Sequence, residues 1–123
     1  MATGYLCVLQ NPSMPNLLKI CITEQMPEDK LKEENKVCNI PTFYRIILCK
    51  NVKNTNKKLK ILYKLIDNYR VNKRKDFFRI DIEKIKLFFE LIDGDYYKID
   101  KKIYEKIIKY YKLNLFLILI PLF

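Results

Sequence analysis

Gly4-Tyr5-Leu6-Cys7-Val8-Leu9-Gln10-Asn11-Pro12-Ser13-Met14-Pro15-Asn16-Leu17-Leu18-Lys19-Ile20-Cys21-Ile22-Thr23 is the stretch that decides the fold. Residues 4–10 and 17–23 are apolar and β-branched, as strands require. The six residues between them hold two Pro and two Asn, which is turn chemistry. The chain therefore opens with an antiparallel hairpin.

Working outward, Pro27 suits a first helical position, and Glu28 and Asp29 suit the positive end of a helix dipole. A short helix is predicted over 27–36, with Leu31 as its main apolar anchor. Residues 42–50 read as a third strand. From Asn56 to Tyr69 the period becomes helical, with Leu59, Leu62, Ile66 and Tyr69 on one face and Lys57, Lys60, Lys64 and Asn68 on the other. Residues 70–75 form a basic loop, and Phe77-Phe78-Arg79-Ile80 an extended piece that anchors it. Asp81 is a natural N-cap for a helix over 82–93 that turns Ile82, Ile85, Phe88, Phe89 and Ile92 inward, and Gly94 a natural C-cap. Asp95 to Tyr97 read as a break before a last helix that Asp100 caps. The apolar run Leu113–Phe123 is too short to span a bilayer, which takes about 20 residues.

At 123 residues the chain fits one domain, and half of its residues are hydrophobic, enough for a core. Ile, Lys, Asn, Tyr and Phe dominate, which points to an AT-rich genome such as that of a large DNA virus, a phage or a parasite. The formal charge of +10 is concentrated. Between Lys50 and Arg79 lie eleven Lys or Arg against Asp67 and Asp76, so this segment alone carries +9. Such a cluster favours a polyanion, nucleic acid first and an anionic membrane surface second. Taken singly, each Lys reads equally well as solvated helix surface.

Cys7, Cys21, Cys38 and Cys49 include no C-x-x-C pair, and the chain has no His. Paired ligands at short spacing, the usual mark of a zinc site, are missing. Cys7, Cys21 and Cys49 fall in predicted strands and read as buried thiols of a reducing intracellular compartment, host cytoplasm or virion.

The opening hairpin resembles that of the viral and phage branch of GIY-YIG nucleases, G-Y-x-Y-x-L-x-N-P-x-M-P followed by K-I-G-x-T. A second stretch, Tyr69-Arg70-Val71-Asn72-Lys73-Arg74-Lys75-Asp76-Phe77-Phe78, resembles the branch's E-Y-R-V-N-x-x-R-E-F-F signature. The two anchors stand in the right order, and the resemblance covers residues 3–93, leaving 94–123 as a C-terminal helix and apolar tail. It implies an α+β fold, a small three-stranded antiparallel sheet flanked by helices, to which the residues after Gly94 add a C-terminal helical extension. It also implies phosphodiester hydrolysis with a strand Tyr near the base, a helix cation on the phosphate and a Glu-held divalent metal, Mg or Mn.

Several chemical positions depart from the pattern. The second strand Tyr falls on Cys7, although Tyr5 shares that strand face. The Gly of the second motif is Cys21, and the helix Arg is Lys30, which keeps charge but loses the bidentate fork. The E-x-x-x-H of the main helix falls on Leu59 and Tyr63, and Leu offers no oxygen to a hard cation. Asp76 keeps the carboxylate of E-F-F. Catalysis, where it survives, would rest on Tyr5, Lys30 and Asp76. Nucleic-acid contact, DNA rather than RNA, would rest on Lys19, Thr23, Lys57, Lys60, Lys64, Arg70, Asn72, Lys73, Arg74 and Lys75. Three functions compete: a DNA-binding relative with weakened or lost catalysis that needs no metal, an active metal-dependent endonuclease, and a membrane-surface or interaction module that uses the apolar tail with the Lys-rich stretch before it.

Overall fold

The computed structural model describes residues 3–37, 41–72 and 76–101, with positions 105 and 109. The opening stretch folds as expected, into β1 (Thr3–Gln10) and β2 (Leu18–Thr23), paired antiparallel with Cys7 opposite Cys21. Asn11 builds the connection. Its backbone carbonyl accepts from Met14 N at 2.9 Å and its side-chain oxygen from Ser13 N at 2.9 Å. Its amide donates to Thr42 O at 2.8 Å, which ties the turn to the chain entering β3. A buried Asn is tolerated there because these partners replace its water.

Helix α1 spans Pro27–Lys36, with Pro27 in its first turn, as expected. Strand β3 (Arg45–Lys53) leads through Asn54, whose φ of 54° is left-handed, into α2 (Thr55–Ile66) and a 3-10 turn (Asp67–Tyr69). Strand β4 (Phe77–Phe78), α3 (Ile82–Glu90) and β5 (Asp95–Ile99) follow.

The class is α+β, but the sheet has five antiparallel strands in the order β4-β2-β1-β3-β5 rather than three. β4 adds Phe78 opposite Leu18. β5 arises where a break was expected, pairing Asp95 and Tyr96 with Asn51 and Lys50. Gly94 is therefore not a helix cap. Leu91 closes α3, while Gly94, at φ +150°, turns the chain into β5, where a β-carbon would lie 2.2 Å from Asn51 O. Asp81 takes the N-cap position, but its backbone carbonyl, not its side chain, accepts from Ile85 N. Of the expected C-terminal helix, positions 101, 105 and 109 are helical, and the apolar tail lies outside the described residues. No helix among the described residues is long and apolar enough to cross a membrane.

Central strand β1 is buried on both faces. Leu6 and Val8 enter a core with Leu62 and Ile66 of α2 and Ile85 and Phe89 of α3. Cys7 and Leu9 enter a second, smaller core with Cys21, Tyr44, Ile46 and Cys49, which Leu31 of α1 covers in part. Each fully buried Leu, Ile or Phe contributes about 1.5–3 kcal/mol.

Lys50 departs from its expected place in the exposed basic cluster. It is buried and donates to the carbonyls of Phe89 (2.7 Å) and Ile92, at the negative end of α3, with its ammonium 4.7 Å from the Tyr96 ring centre. Burial pulls its pKa below the usual lysine range. This ammonium joins β3 to α3 and is not available to a ligand.

Gly4 shows how closely α2 sits on β1. A β-carbon there would lie 2.6 Å from Thr23 O and 2.7 Å from Thr55 Cγ2. The first is backbone of a paired strand and cannot yield cheaply. Gly4→Ala is expected to destabilise the fold by about 1–3 kcal/mol, read as a lower urea midpoint. An unchanged midpoint would contradict this packing.

Candidate functional site

The sheet face under α1 is where the expected chemistry should assemble. β1 directs Tyr5 and Cys7 to this face, β2 brings Cys21 and Lys19, and β3 brings Cys49. Tyr5 donates a long hydrogen bond to Met26 Sδ (3.8 Å), and its ring meets that of Tyr97 edge-on at 5.2 Å. Tyr97 donates to both carboxylate oxygens of Glu28, at 2.9 and 3.0 Å, and this bond raises the Tyr97 pKa. Sequence reasoning misses Tyr97 and Glu28 because it misses β5. The signal that could have found them is the β-prone Tyr96-Tyr97-Lys98-Ile99 after Gly94.

Where the resemblance places a second Tyr and a Gly stand Cys7 and Cys21, both buried. Cys7 Sγ lies 3.2 Å from Cys49 Sγ. A hydrogen bond with Cys21 pulls the Cys7 thiol down, but the bond with Cys49 and burial outweigh it, and the net direction is up. The bond with Cys7, then burial, push Cys21 up as well. Both are neutral thiols near pH 7, and neither supplies the base or the charge that a phenolate would. The three described cysteines are free and buried, as expected. Cys38 lies outside the described residues.

Lys30 and Lys19 do not face an open phosphate site. Lys30 pairs with Glu34 at 3.2 Å and Glu33 at 3.9 Å, and Lys19 pairs with Glu34 and lies 5.6 Å from the ring centres of Tyr44 and Phe77. Burial alone would raise the Glu34 pKa, yet Lys19 and Lys30 hold it below the usual carboxylate range. Burial pulls Lys30 down, and Glu34 more than reverses this. The triad fastens α1 to β2. Thr23 is likewise used locally, accepting from Gln25 N at 3.0 Å.

Asp76 sits at the β4 edge of the sheet and accepts from Tyr63 of α2 at 2.7 Å. Burial, then Asp76, push the Tyr63 phenol well above its usual range. Arg70 lies over the rings of Tyr63 (4.4 Å) and Phe78 (5.3 Å). Two backbone bonds, Val71 N to Phe77 O and Arg79 N to Tyr69 O, fix the base of the basic loop. Asn72 is exposed, and Lys73, Arg74 and Lys75 lie outside the described residues.

Tyr5 and Lys30 thus share one face, while Asp76 stands at the edge with its own partner, and the three do not converge on one point. Leu59 is packed against the apolar core where a metal carboxylate is expected. Among the described residues, no group of three or more His, Cys, Asp or Glu could hold a metal ion. The donor set does not fit a hard divalent cation.

The other face is different. Lys57, Lys60 and Lys64 run along the exposed side of α2, which contains no acid, and none of them is ion-paired among the described residues. Because α2 packs on the opposite face from α1, this row and the cysteine row lie on opposite sides of the sheet.

The T5orf172 domain model matches residues 4–93, from β1 to just beyond α3. The chain belongs to the T5orf172 domain family. This is a phage-associated domain of the nuclease type. No curated protein and no solved structure matches the chain. The T5orf172 match ends before β5, so Tyr97 lies outside it.

The Lys19–Glu34–Lys30 triad has a pH signature. Glu34 is held low, so its contribution is present above the unfolded carboxylate pKa of about 4.3 and is lost as pH falls through the folded value. Lys30 is held high, so its contribution is present below about 10.4 and is lost as pH rises through the folded value. Glu34→Gln is expected to cost about 1–2 kcal/mol at pH 7 and far less at pH 3, by urea denaturation. An equal loss at both pH values would contradict the ionic role.

Proposed function

We propose that this T5orf172 domain is a GIY-YIG-type scaffold that binds DNA through phosphate contacts and has weakened or lost cleavage. The observation that carries the proposal is the row of Lys57, Lys60 and Lys64, unpaired among the described residues, on an acid-free helix, with Arg70 and the basic loop after it. Lysines at i, i+3 and i+7 share one helix face and follow a backbone as point charges. Such contacts fix position on the duplex and read little sequence. The basic net charge supports a polyanion. The weakened catalysis rests on Cys7, Cys21 and Leu59 at the positions of the Tyr, Gly and Glu of the GIY-YIG pattern. It rests also on Lys19 and Lys30, which are both paired with Glu34.

Fluorescence anisotropy against duplex oligonucleotides tests the binding surface. The parent protein is expected to bind unrelated sequences alike and to lose affinity steeply with salt. In the Lys57→Ala/Lys60→Ala/Lys64→Ala variant, the slope of log affinity against log salt is expected to flatten by roughly 3, about 0.9 for each phosphate no longer neutralised. An unchanged slope would place the DNA elsewhere.

A further inference from the structure

Three adjacent strands each contribute one buried thiol to the same sheet face. Cys7 of β1 stands opposite Cys21 of β2 on one side and Cys49 of β3 on the other. Strands are spaced at about 4.8 Å, so the three sulfurs form a row with Cys7 in the middle. Cys7 Sγ is 3.2 Å from Cys49 Sγ, within hydrogen-bond reach, and Cys21 is its register partner on the other side. Exposure falls along the row, from 8% at Cys21 to 1% at Cys7 and 0% at Cys49. The row has one end near solvent and one end sealed.

We propose that this row is a redox modification site: an intramolecular thiol–disulfide relay that enters at Cys21 and ends in a Cys7–Cys49 disulfide. The oxidant is a low-molecular-weight disulfide, RSSR. The Cys21 sulfur attacks RSSR, forms a mixed disulfide and expels one RSH. Cys7 then attacks the Cys21 sulfur, forming Cys7–Cys21 and expelling the second RSH. Cys49 attacks Cys7 from the opposite side, forming Cys7–Cys49 and returning Cys21 as a thiol. Each attacking thiol loses a proton and each departing thiolate gains one. Overall, two protein thiols lose two hydrogens, and RSSR is reduced to two RSH.

The geometry suits both intramolecular steps. Exchange proceeds through attack on a disulfide sulfur, and a row places the attacking and leaving sulfurs on opposite sides of Cys7. Opposed residues on antiparallel strands are about 4.5–5.5 Å apart at Cα, within the range that a disulfide spans without backbone movement. The Cys7 and Cys21 thiol pKa values are raised, so exchange is slow at neutral pH and faster at alkaline pH.

The test uses the full chain with Cys38→Ser, leaving three thiols, treated folded with oxidised glutathione at pH 8.5. Alkylation and peptide mass analysis then locate the bridge. The expected result is a Cys7–Cys49 bridge with Cys21 alkylated, and a melting temperature raised by roughly 10 °C, because a long loop is closed without moving the register. Cys21→Ser and Cys21→Ala, each first shown to melt cooperatively, are expected to slow bridge formation by roughly tenfold or more. Three alkylatable thiols after treatment would overturn the site. A Cys7–Cys49 bridge that forms as fast without Cys21 would overturn the relay.

Discussion

The burial of β1 on both faces is the constraint on which the rest depends. A central strand flanked by β2 and β3 has no free edge, and both of its side-chain rows must find cover. Leu6 and Val8 call for the α2–α3 layer, and Cys7 and Leu9 call for α1. Helices on both faces follow from this, and so does the chemistry of the α1 side. A residue at position 7 is fully enclosed and opposed by positions 21 and 49. A neutral thiol is small and apolar enough for that place, whereas a base that must ionise and touch solvent is not.

Charge is divided in the same way. Lys19 and Lys30, which reach the α1 side, are held in ion pairs by Glu34 of α1 itself. Lys50 is consumed by the carbonyl end of α3. The α2 row on the far side of the sheet stays without an ion pair among the described residues. The α1 side of the sheet is a filled face and the α2 side a charged one. The tyrosine cluster at the open end of the filled face, Tyr5, Tyr97 and Glu28, keeps phenol and carboxylate groups, but it is bonded within itself.

The hairpin, α1 and the core faces of α2 and α3 were legible because local signals agreed: turn residues at Asn11 and Pro12, Pro27 before two acids, and apolar residues at helical spacing. Strand β5 was not legible. It has five residues, and its stability comes from pairing with β3, more than forty positions away in sequence, which no local pattern reports. The fate of individual lysines was illegible for the same reason. Lys50 and Lys19 look like their neighbours in sequence, and their burial is set by Phe89, Ile92 and Glu34 from other elements. The substitutions at Cys7, Cys21 and Leu59 were visible in the sequence. What the structure adds is that all three are packed, Cys7 and Cys21 within the core under α1 and Leu59 against the core under α2.

We propose that this domain holds DNA with its cleavage weakened or lost. The most direct measurement is incubation of supercoiled plasmid with the protein and manganese, followed on a gel before and after deproteinisation. The predicted result is a retarded plasmid that returns largely supercoiled once the protein is removed. Complete conversion to nicked or linear plasmid, absent with a Tyr5→Phe/Asp76→Ala variant, would contradict it and show that the fold cuts DNA through Tyr5 or Asp76.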